Sequence, residues 1–575
     1  MSARTGSVHV AKIVRRYGDK QYVTYLLRRS YRDGNKVLHE TLGNISHLPE
    51  RLIDIIRRSL RGEQFVSTQE AFRTTRSLPH GHVEAVLEMV RKLELDKLIA
   101  AKRCPERDLV MAMIVQRILF ACSKLATTRH WHSTTLAEEL GVRDADVNAL
   151  YAAMDWLLPR QKSIERKLAQ RHLTEGALVL YDVSSSYYTG RTCSLARPGH
   201  DHDGKKGYPI IVYGLLTDAQ GRPVAVQVYP GNTGDPTTVP DQVEKLRVRF
   251  GLLRVVLAGD RGMLTETQID SLKAHPGLGW ISALRSRRIR QLIDKGALQR
   301  SLFDEVDLAQ IHSPDFPGER LVACYNPLLA ERRSGCREEL LAATEKELRK
   351  LARQVARRTK KPLGKKDIAL AAGKFINRFK VAKHFRLTIE DGGLAWRREQ
   401  VSIERETQLD GIYVIRTSQP EKGLSAEDSV RNYKRLTNVE QAFRSLKSEL
   451  EVRPIRHWID NRVRAHILIC LLAYYLQWHL KRAWAPLLFE EEDLENARRS
   501  RDPVAPAESS PEVKRKKATR QTIHHLPVHS LETLLQQLGT RCRNTHVLAS
   551  DASHSFEQVT EMNPLQAEAF KLLEL

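Results

Sequence analysis

The chain has 575 residues and a formal net charge of +24. This basic excess favours a polyanionic partner, either nucleic acid or an anionic membrane surface, because lysines and arginines release counterions when they meet phosphates. The longest apolar run, Ile467 to Leu476, is about half of a membrane span, and the first residues lack a signal-peptide core. Seven scattered cysteines without a CxxC pair indicate neither a disulfide framework nor a zinc module. We therefore expect a cytoplasmic protein of several domains that does not act at a membrane.

The N-terminal region, residues 1–75, predicts a small antiparallel β-unit followed by a basic helix. Polar and apolar residues alternate from Val8 to Leu42, and turn sequences interrupt the alternation twice. A short basic helix follows from Pro49 to Glu63. The many arginines of this unit either contact DNA backbone or form the solvated face of a small sheet.

Residues 80–173 read as helical throughout, with strong apolar periodicity. A helix from Thr134, a turn at Gly141 and a second helix capped near Asp144 or Asp146 have the outline of a helix-turn-helix. Such a pair either reads a DNA groove or is plain helix packing, and packing is the commoner case. We assign this region as a DNA-binding domain on the strength of the basic charge.

The next region, residues 174–286, predicts the first part of a mixed α/β core. Two antiparallel strands follow the buried β-run Ala177 to Thr189, which carries Asp182. A helix opened by Asp235 then leads to a second apolar run that ends on Asp260. Antiparallel strands followed by helix-linked parallel strands form the mixed sheet of a ribonuclease H-like fold, which brings the two aspartates together.

An α+β insert is expected over residues 287–410, because the core pattern stops there. It holds a strand LVACYN, a long helix, a basic segment and strands around FRLTIE and LAWRREQVSIE. Its arginines, Arg353 and Arg357 among them, either bind DNA backbone or form a solvated helix face. Trp396 lies in a predicted hairpin, where a tryptophan usually packs.

Residues 411–485 return to the core through the strand GIYVIRT and an amphipathic helix within Asn432 to Trp458. In that stretch Tyr433, Glu440 and Lys447 are spaced by seven residues and share one stripe beside an apolar seam. Taken alone, Glu440 reads as a solvated residue paired with Arg444 at the next turn. Residues 486–575 mix charges and prolines and predict a flexible linker and a tail.

Several ordered blocks resemble the DDE transposases of bacterial insertion sequences, specifically the "insertion sequence four" superfamily with its Tyr, Arg, Glu, Lys signature. The matching blocks are YDVSSSYY, GHDHDGKKGYPIIVYGLL, GNTGDPTT, GDRGM and YKRLTNVEQAFRSLK. The resemblance implies that Asp182, Asp260 and Glu440 form the catalytic acidic triad and that Tyr433 and Lys447 contact DNA. The signature arginine falls on Leu436, so that role stays unassigned between Arg435 and Arg444.

Carboxylate oxygens suit hard cations, so two Mg²⁺ or Mn²⁺ ions are the expected cofactors, held by the three acids. The expected function is metal-dependent cleavage and strand transfer at insertion-sequence ends, with terminal repeats and target DNA as partners and a homodimer in the synaptic complex. A ribonuclease H-like nuclease and an inactive DNA-binding protein are the alternatives. Beside Tyr433 and Lys447, the residues expected to contact DNA are Arg444, Lys205, Lys206, Arg353, Arg357 and Trp396. The family resemblance implies that Trp396, rather than packing in its hairpin, stacks on a flipped base.

Overall fold

The computed structural model of the protein describes residues 6–63, 65, 71–549 and 553–574. These residues form two compact units. The first combines Met1–Leu78 with Cys542–Thr560, and the second combines Pro79–Arg541 with Glu561–Leu575. Residues 542–560 therefore belong with the N-terminal segment, whereas the sequence analysis placed them in a separate tail.

The first unit opens with a three-stranded antiparallel sheet in the order β1, β2, β3. Its elements are β1 (Ser7–Tyr17), β2 (Lys20–Asp33), β3 (Lys36–Asn44), α1 (Glu50–Ser59) and the start of β4 (Phe72–Pro79). Gly18 and Gly34, with φ of 58° and 59°, make the two turns in a backbone region that glycine adopts without strain. The small β-unit of the expected fold class is confirmed; residues 1–5, 64 and 66–70 of the predicted 1–75 region lie outside the described residues.

Seven helices open the second unit and bury a common apolar core. They are α2 (Gly81–Lys92), α3 (Leu95–Ile99), α4 (Pro105–Leu119), α5 (Lys124–His130), α6 (Leu136–Leu140), α7 (Val147–Leu157) and α8 (Gln161–His172). The turn between α6 and α7 is as predicted: Gly141 has a φ of 69°, and the Asp146 side chain accepts a hydrogen bond from the N–H of Ala149. The helical domain of the expected fold class is confirmed.

The predicted helix-turn-helix pair packs into the helical domain. Helix α6 has five residues, and α7 packs against α4 through its buried face. The exposed residues of α7 are Asn148, Ala152 and Asp155, which include no cation. DNA recognition by this pair stays a prediction.

The core of the second unit is an eight-stranded mixed sheet in the order β10, β11, β14, β9, β8, β5, β6, β7. The strands are β5 (Ala177–Tyr187), β6 (Ile210–Asp218), β7 (Pro223–Pro230), β8 (Val255–Ala258), β9 (Leu278–Ala283), β10 (Leu308–Ile311), β11 (Arg320–Tyr325) and β14 (Ile412–Thr417). The intervening helices are α9 (Val239–Glu244), α10 (Glu266–Lys273) and α11 (Ser286–Asp294). Strand β5 pairs antiparallel with β6 and parallel with β8, which is the mixed sheet predicted for a ribonuclease H-like core.

The insert is smaller than the predicted 287–410. The strand LVACYN, expected within it, is β11, which pairs with β14 in the main sheet. The insert consists of α12 (Pro327–Ala356), α13 (Lys365–Arg378), the hairpin β12 (Phe385–Glu390) and β13 (Gly393–Arg398), and α14 (Gln400–Thr407). Residues 400–404, predicted as strand, are helical. An apolar strand does not encode its pairing partner locally, so the sequence could not assign β11 to a sheet.

The amphipathic stretch Asn432 to Trp458 is not one helix. It contains the end of α15 (Ala426–Lys434) and all of α16 (Leu436–Ser448), with Arg435 between them. The chain is extended after α16, where Ile455 forms an isolated bridge with Tyr188. Pro454 lacks the N–H that a longer helix would need. Tyr433 and Glu440 therefore lie on consecutive helices rather than on one.

The predicted flexible linker over 486–575 is wrong for most of the described residues. After α17 (Asp460–Ala483) the chain forms α18 (Leu494–Arg499), α19 (Pro511–Thr519), α20 (Leu531–Gly539), β15 (Cys542–Leu548), β16 (Ser555–Val559) and α21 (Pro564–Lys571). Strands β16, β15 and β4 form a sheet in that order. Buried residues scattered among charges, such as Val504 and Leu534, anchor this region although its composition resembles a linker.

The described residues include no single helix that is long and apolar enough to span a membrane. Helices α4 and α5, bent by 88°, meet the length and composition criteria only as a pair.

Candidate active site

Strand register brings Asp182 and Asp260 to one place. Strand β5 runs parallel to β8, and the last pair of this register joins Leu180 to Ala258. Continued by two residues, the register sets Asp260 beside Asp182 at the carboxyl end of β8, where ligands collect in α/β sheets. Neighbouring strands lie about 4.8 Å apart, so the pairing of β5 with β8 is enough to bring the two aspartates together.

Helix α16 carries Glu440 to the same place. It packs on β5 through an apolar face whose buried residues are Leu436, Val439, Ala442, Phe443 and Leu446. The ring of Phe443 meets that of Tyr213 edge to face, with centroids 5.8 Å apart. Glu440 lies at the border of this face and is exposed, and in the described part of the chain it has no ion pair with Arg444. The packed helix, and not a charge partner, positions its carboxylate.

Asp182, Asp260 and Glu440 line one cavity of about 160 Å³, which we call the acidic cavity. The pKa of the Asp182 carboxyl is raised from 3.8 to about 7, chiefly by burial. The nearby carboxylates of Asp260, Glu440 and Asp235 add to the rise, and the backbone N–H of the next residue opposes it. The acidic cavity therefore brings three carboxylates together. Lys434 also lines it, but its ammonium donates to backbone carbonyl oxygens and has no ion pair with these acids in the described part of the chain.

Tyr433, on α15, connects the helices to Asp260 at the end of β8. Its hydroxyl donates a hydrogen bond to Asp260 Oδ1 at 3.4 Å, and its ring lines the acidic cavity. Burial raises the pKa of Tyr433, and the charge of Asp260 raises it further, so the hydroxyl keeps its proton and acts as a donor. Leu436, at the signature position for arginine, is buried and also lines the cavity.

Lys447 does not extend freely toward solvent. Its ammonium contacts Asp203 Oδ1 at 2.8 Å, and the Arg453 guanidinium donates to the same oxygen. The other oxygen of Asp203 accepts a hydrogen bond from the N–H of Tyr187 at 3.1 Å. This carboxylate, which has no exposed side-chain surface, ties α16, the segment after it and β5 together. We call these contacts the Asp203 clamp.

The region predicted as a linker braces the junction between α15 and α16. Lys434 Nζ donates to the carbonyl oxygens of Val504 and Ala505 at 3.1 and 3.0 Å. Arg435 pairs with Glu495 at 3.0 Å and also donates to the Ala219 oxygen. Arg435 is thus committed to a structural ion pair, which leaves it outside the residues that line the acidic cavity.

The other residues expected to contact DNA lie outside the acidic cavity. Arg444 is exposed on α16, and Lys205 and Lys206 are exposed in the loop that holds Asp203. Arg353 and Arg357 are exposed near the end of α12, and neither has an ion pair within the described ranges. Trp396 is half-buried and packs against the hydrophobic cluster of the insert. Their roles in DNA binding stay predictions.

Two acidic residues at the site escaped the sequence analysis. Asp235 was read as a helix cap, yet its charge acts on Asp182. Asp203 lies within GHDHDGKK, one of the matching blocks, but no role was predicted for it from the sequence. The sequence alone could not show the role of Asp203, because the lysine that it binds, Lys447, lies 244 residues away along the chain.

The donor set of the acidic cavity suits hard divalent cations, because it offers carboxylate oxygens and no thiolate or imidazole. Within the ranges that the structure describes, no group of three or more His, Cys, Asp or Glu side chains is close enough to hold one ion. The residues therefore fit such cations by their chemistry and charge.

Two family models match this chain. The family model described as the transposase DDE domain matches residues 179–476, over half of the chain, and that of the N-terminal domain of IS1634 family transposases matches residues 10–71. A search of curated proteins gave no significant match. Among solved structures, a chain from a piggyBac transposase synaptic complex with hairpin DNA is similar at 12% identity, with a TM-score of 0.27, over 76% of this chain and 88% of that one.

Proposed function

Since this chain belongs to the family of transposases with a DDE domain, we propose that Asp182, Asp260 and Glu440 are the carboxylates on which its DNA cleavage and strand transfer depend. The family resemblance drawn from the sequence is confirmed, and with it the DNA transposase function. The observation that carries the assignment is the shared acidic cavity, which three distant parts of the chain line together.

Transposases of this family generally use divalent metal ions. We assign two Mg²⁺ or Mn²⁺ ions to the three carboxylates, an arrangement that does not require all of them to meet at one point. When bound, such ions supply the positive charge that stabilises the attacking and leaving oxygens of a phosphodiester. Asp182, the most buried of the acids, holds its place through the N–H of Val183 at 2.8 Å.

The chain's own residues position the substrate. Tyr433 holds the Asp260 carboxylate through its hydroxyl and lines the acidic cavity. Lys205, Lys206 and Arg444 are exposed cations on the elements that border the site, and Arg353, Arg357 and Trp396 offer contacts from the insert. We assign these side chains to DNA strands that approach the acidic cavity, because phosphate contacts set the register of a protein on DNA.

Lys447 has a different place in this scheme. Its ammonium is already held by Asp203, so its assignment to DNA requires a phosphate to share or replace that carboxylate.

Two DNA ends must be joined in one reaction, and we therefore assign a homodimer to the synaptic complex, acting on terminal repeats and target DNA in the cytoplasm.

The experiment is incubation of the protein with Mg²⁺ and DNA that carries the ends flanking its gene, followed by sequencing of the products. Transposition predicts transposon ends joined to new target sites. Cut ends without joined products would support a nuclease instead. Intact DNA under all metal conditions, from a protein that binds it, would contradict both.

A further inference from the structure

A second cavity of the same unit, of about 520 Å³, has the opposite charge. Its walls come from α4, α5, α7, the segment after α16 and the start of α17. The lining cations are Arg117, Lys124, Arg453, Arg456 and Arg462. Among the described residues that line it, Glu451 is the one carboxylate. We call it the basic cavity.

Two of these cations are buried without a counterion. Lys124 is 5% exposed and Arg117 is 6% exposed, and in the described part of the chain neither has an ion pair. Arg117 reaches only the carbonyl oxygens of Leu450 and Glu451, each at 3.4 Å. A buried charge is costly unless it is paired, so both side chains are suited to meet an anion.

A buried lysine elsewhere in the unit shows the usual arrangement. Lys245, 1% exposed, lies 3.4 Å from the carboxylate of Glu165, which has no exposed surface. Lys124 has no such partner. Burial, with Arg117 next, lowers its pKa from 10.5 to about 7. Burial lowers the pKa of His457 to about 3, and the charges of Lys124 and Arg117 contribute to this shift. The two cations therefore also repel a proton on His457, which lines the same cavity.

The rim of the basic cavity offers flat and apolar surface. Trp458 is 59% exposed and Ile459 is 51% exposed, and both line the cavity. The Arg462 guanidinium lies over the ring of Tyr151, 4.7 Å from its centroid. Arg462 is also paired with Asp155, at 3.0 Å. The exposed ring of Trp458 lines the same cavity as the two buried cations, and cations together with an aromatic ring can bind a phosphate and a stacked base.

The basic cavity is connected to the active site. Arg453 lines it and shares Asp203 with Lys447, which lies seven residues after Glu440 on α16. Seven residues of helix span about 10 Å. Glu440 and Lys447 are therefore about 10 Å apart, and Asp203 joins Lys447 to Arg453 in the wall of the basic cavity.

We propose that the basic cavity binds a phosphodiester group and its adjoining nucleotide on the DNA strand that is cut, on the far side of the Asp203 clamp from the acidic cavity. The proposal rests on the proposed function, since it names the part of the DNA substrate that this surface holds. A phosphate anion could also come from solution as free phosphate, and the test separates the two sources.

The test measures binding of a fluorescein-labelled DNA duplex with a single-stranded overhang, in EDTA, at several salt concentrations. The variants are Lys124→Met, which keeps the side-chain length, and Arg456→Ala, which changes an exposed residue that has no ion pair within the described ranges. Arg166→Ala, an exposed arginine of α8 that lines neither cavity, is the control.

Both cavity variants should weaken binding about tenfold and lower the slope of log affinity against log salt by about one, because each removes a phosphate contact. The control should match the wild type. Lys124→Met should also raise the melting temperature without DNA, since it removes an unpaired buried charge. Wild-type affinity and slope in both cavity variants would overturn the proposal.

A thermal-shift titration with inorganic phosphate distinguishes the sources of the anion. If phosphate stabilises the wild type but not Lys124→Met while DNA affinity is unchanged, the cavity serves a free anion and the proposal fails. Wild-type protein that binds DNA through the cavity but never cuts it with Mg²⁺ would refute the proposed function alone. Wild-type protein that cuts, with both variants binding normally, would refute this proposal alone.

Discussion

The acidic cavity and the basic cavity are lined by side chains of opposite charge. The first gathers three carboxylates in about 160 Å³, and the second gathers five cations in about 520 Å³. In each, a buried group has a pKa shifted against its charge: Asp182 upward and Lys124 downward, both to about 7. Folding alone does not favour such clusters, because like charges repel where water is scarce. The comparison therefore supports both of our proposals, that the acidic cavity binds cations and that the basic cavity binds phosphates.

The largest effect is expected at the acidic cavity. Glu440→Gln and Asp182→Asn should each reduce metal-dependent cleavage on the order of 10³-fold, because an amide cannot supply the negative charge that holds the metal ions. Glu427→Gln, an exposed glutamate on α15, is the matched control and should cleave normally. The measurement is the rate of cleavage of end-containing DNA in Mg²⁺. Normal cleavage rates in both acid variants would show that the acidic cavity is not the catalytic site.

Two buried lysines test whether the missing counterion matters. Lys245→Met should lower the free energy of unfolding by about 3 kcal/mol, because it leaves Glu165 buried and unpaired. Lys124→Met should instead raise it by about 1 kcal/mol, since no described carboxylate loses a partner. Urea unfolding monitored by circular dichroism measures both. Equal losses would show that Lys124 is neutralised by the fold and that the basic cavity needs no ligand.

The Asp203 clamp links the two cavities, and it can be opened by one substitution. Asp203→Asn leaves Lys447 and Arg453 facing an amide, which should cost about 2 kcal/mol of unfolding free energy. Glu508→Gln, at an exposed ion pair with Lys514, should cost almost nothing. Because the freed cations remain available to phosphates, DNA affinity should not fall. A loss of affinity without a loss of stability would mean that Asp203 serves the DNA directly.

A smaller effect is expected from pH. The groups that face Lys124 are Arg117, His457, His466, Cys122 and Cys470. Its pKa is about 7 in the fold and 10.5 in the unfolded chain, so the unfolded chain binds the extra proton between these values. Wild-type stability should therefore rise toward that of Lys124→Met from pH 7 to 9, and the deficit should be complete below pH 7. A constant difference, measured by urea unfolding at each pH, would contradict the assigned burial.

Much of the acidic cavity could be predicted from sequence because its parts have local signatures. An apolar run interrupted by an aspartate marks a strand whose acid needs a partner, as at Asp182 and Asp260, and an apolar seam marks the helix of Glu440. These local patterns survive in the structure even though the helix breaks at Arg435.

The basic cavity had no such signature. Its cations come from two segments, one around Arg117 and Lys124 and one from Arg453 to Arg462, which are more than 300 residues apart and meet only through tertiary packing. The pairing of β11 with β14 and the brace formed by Glu495 were hidden for the same reason. Local periodicity shows which face of an element is buried but not which distant residues cover it.

Anomalous X-ray scattering from crystals soaked in Mn²⁺ tests the central claim most directly, since it locates the ions themselves. The account predicts manganese peaks in the acidic cavity, within coordination distance of Asp182, Asp260 and Glu440 when DNA is bound, and no peak there in Glu440→Gln crystals at the same concentration. Manganese bound without Glu440 in the DNA complex, or no manganese between the two aspartates, would contradict it.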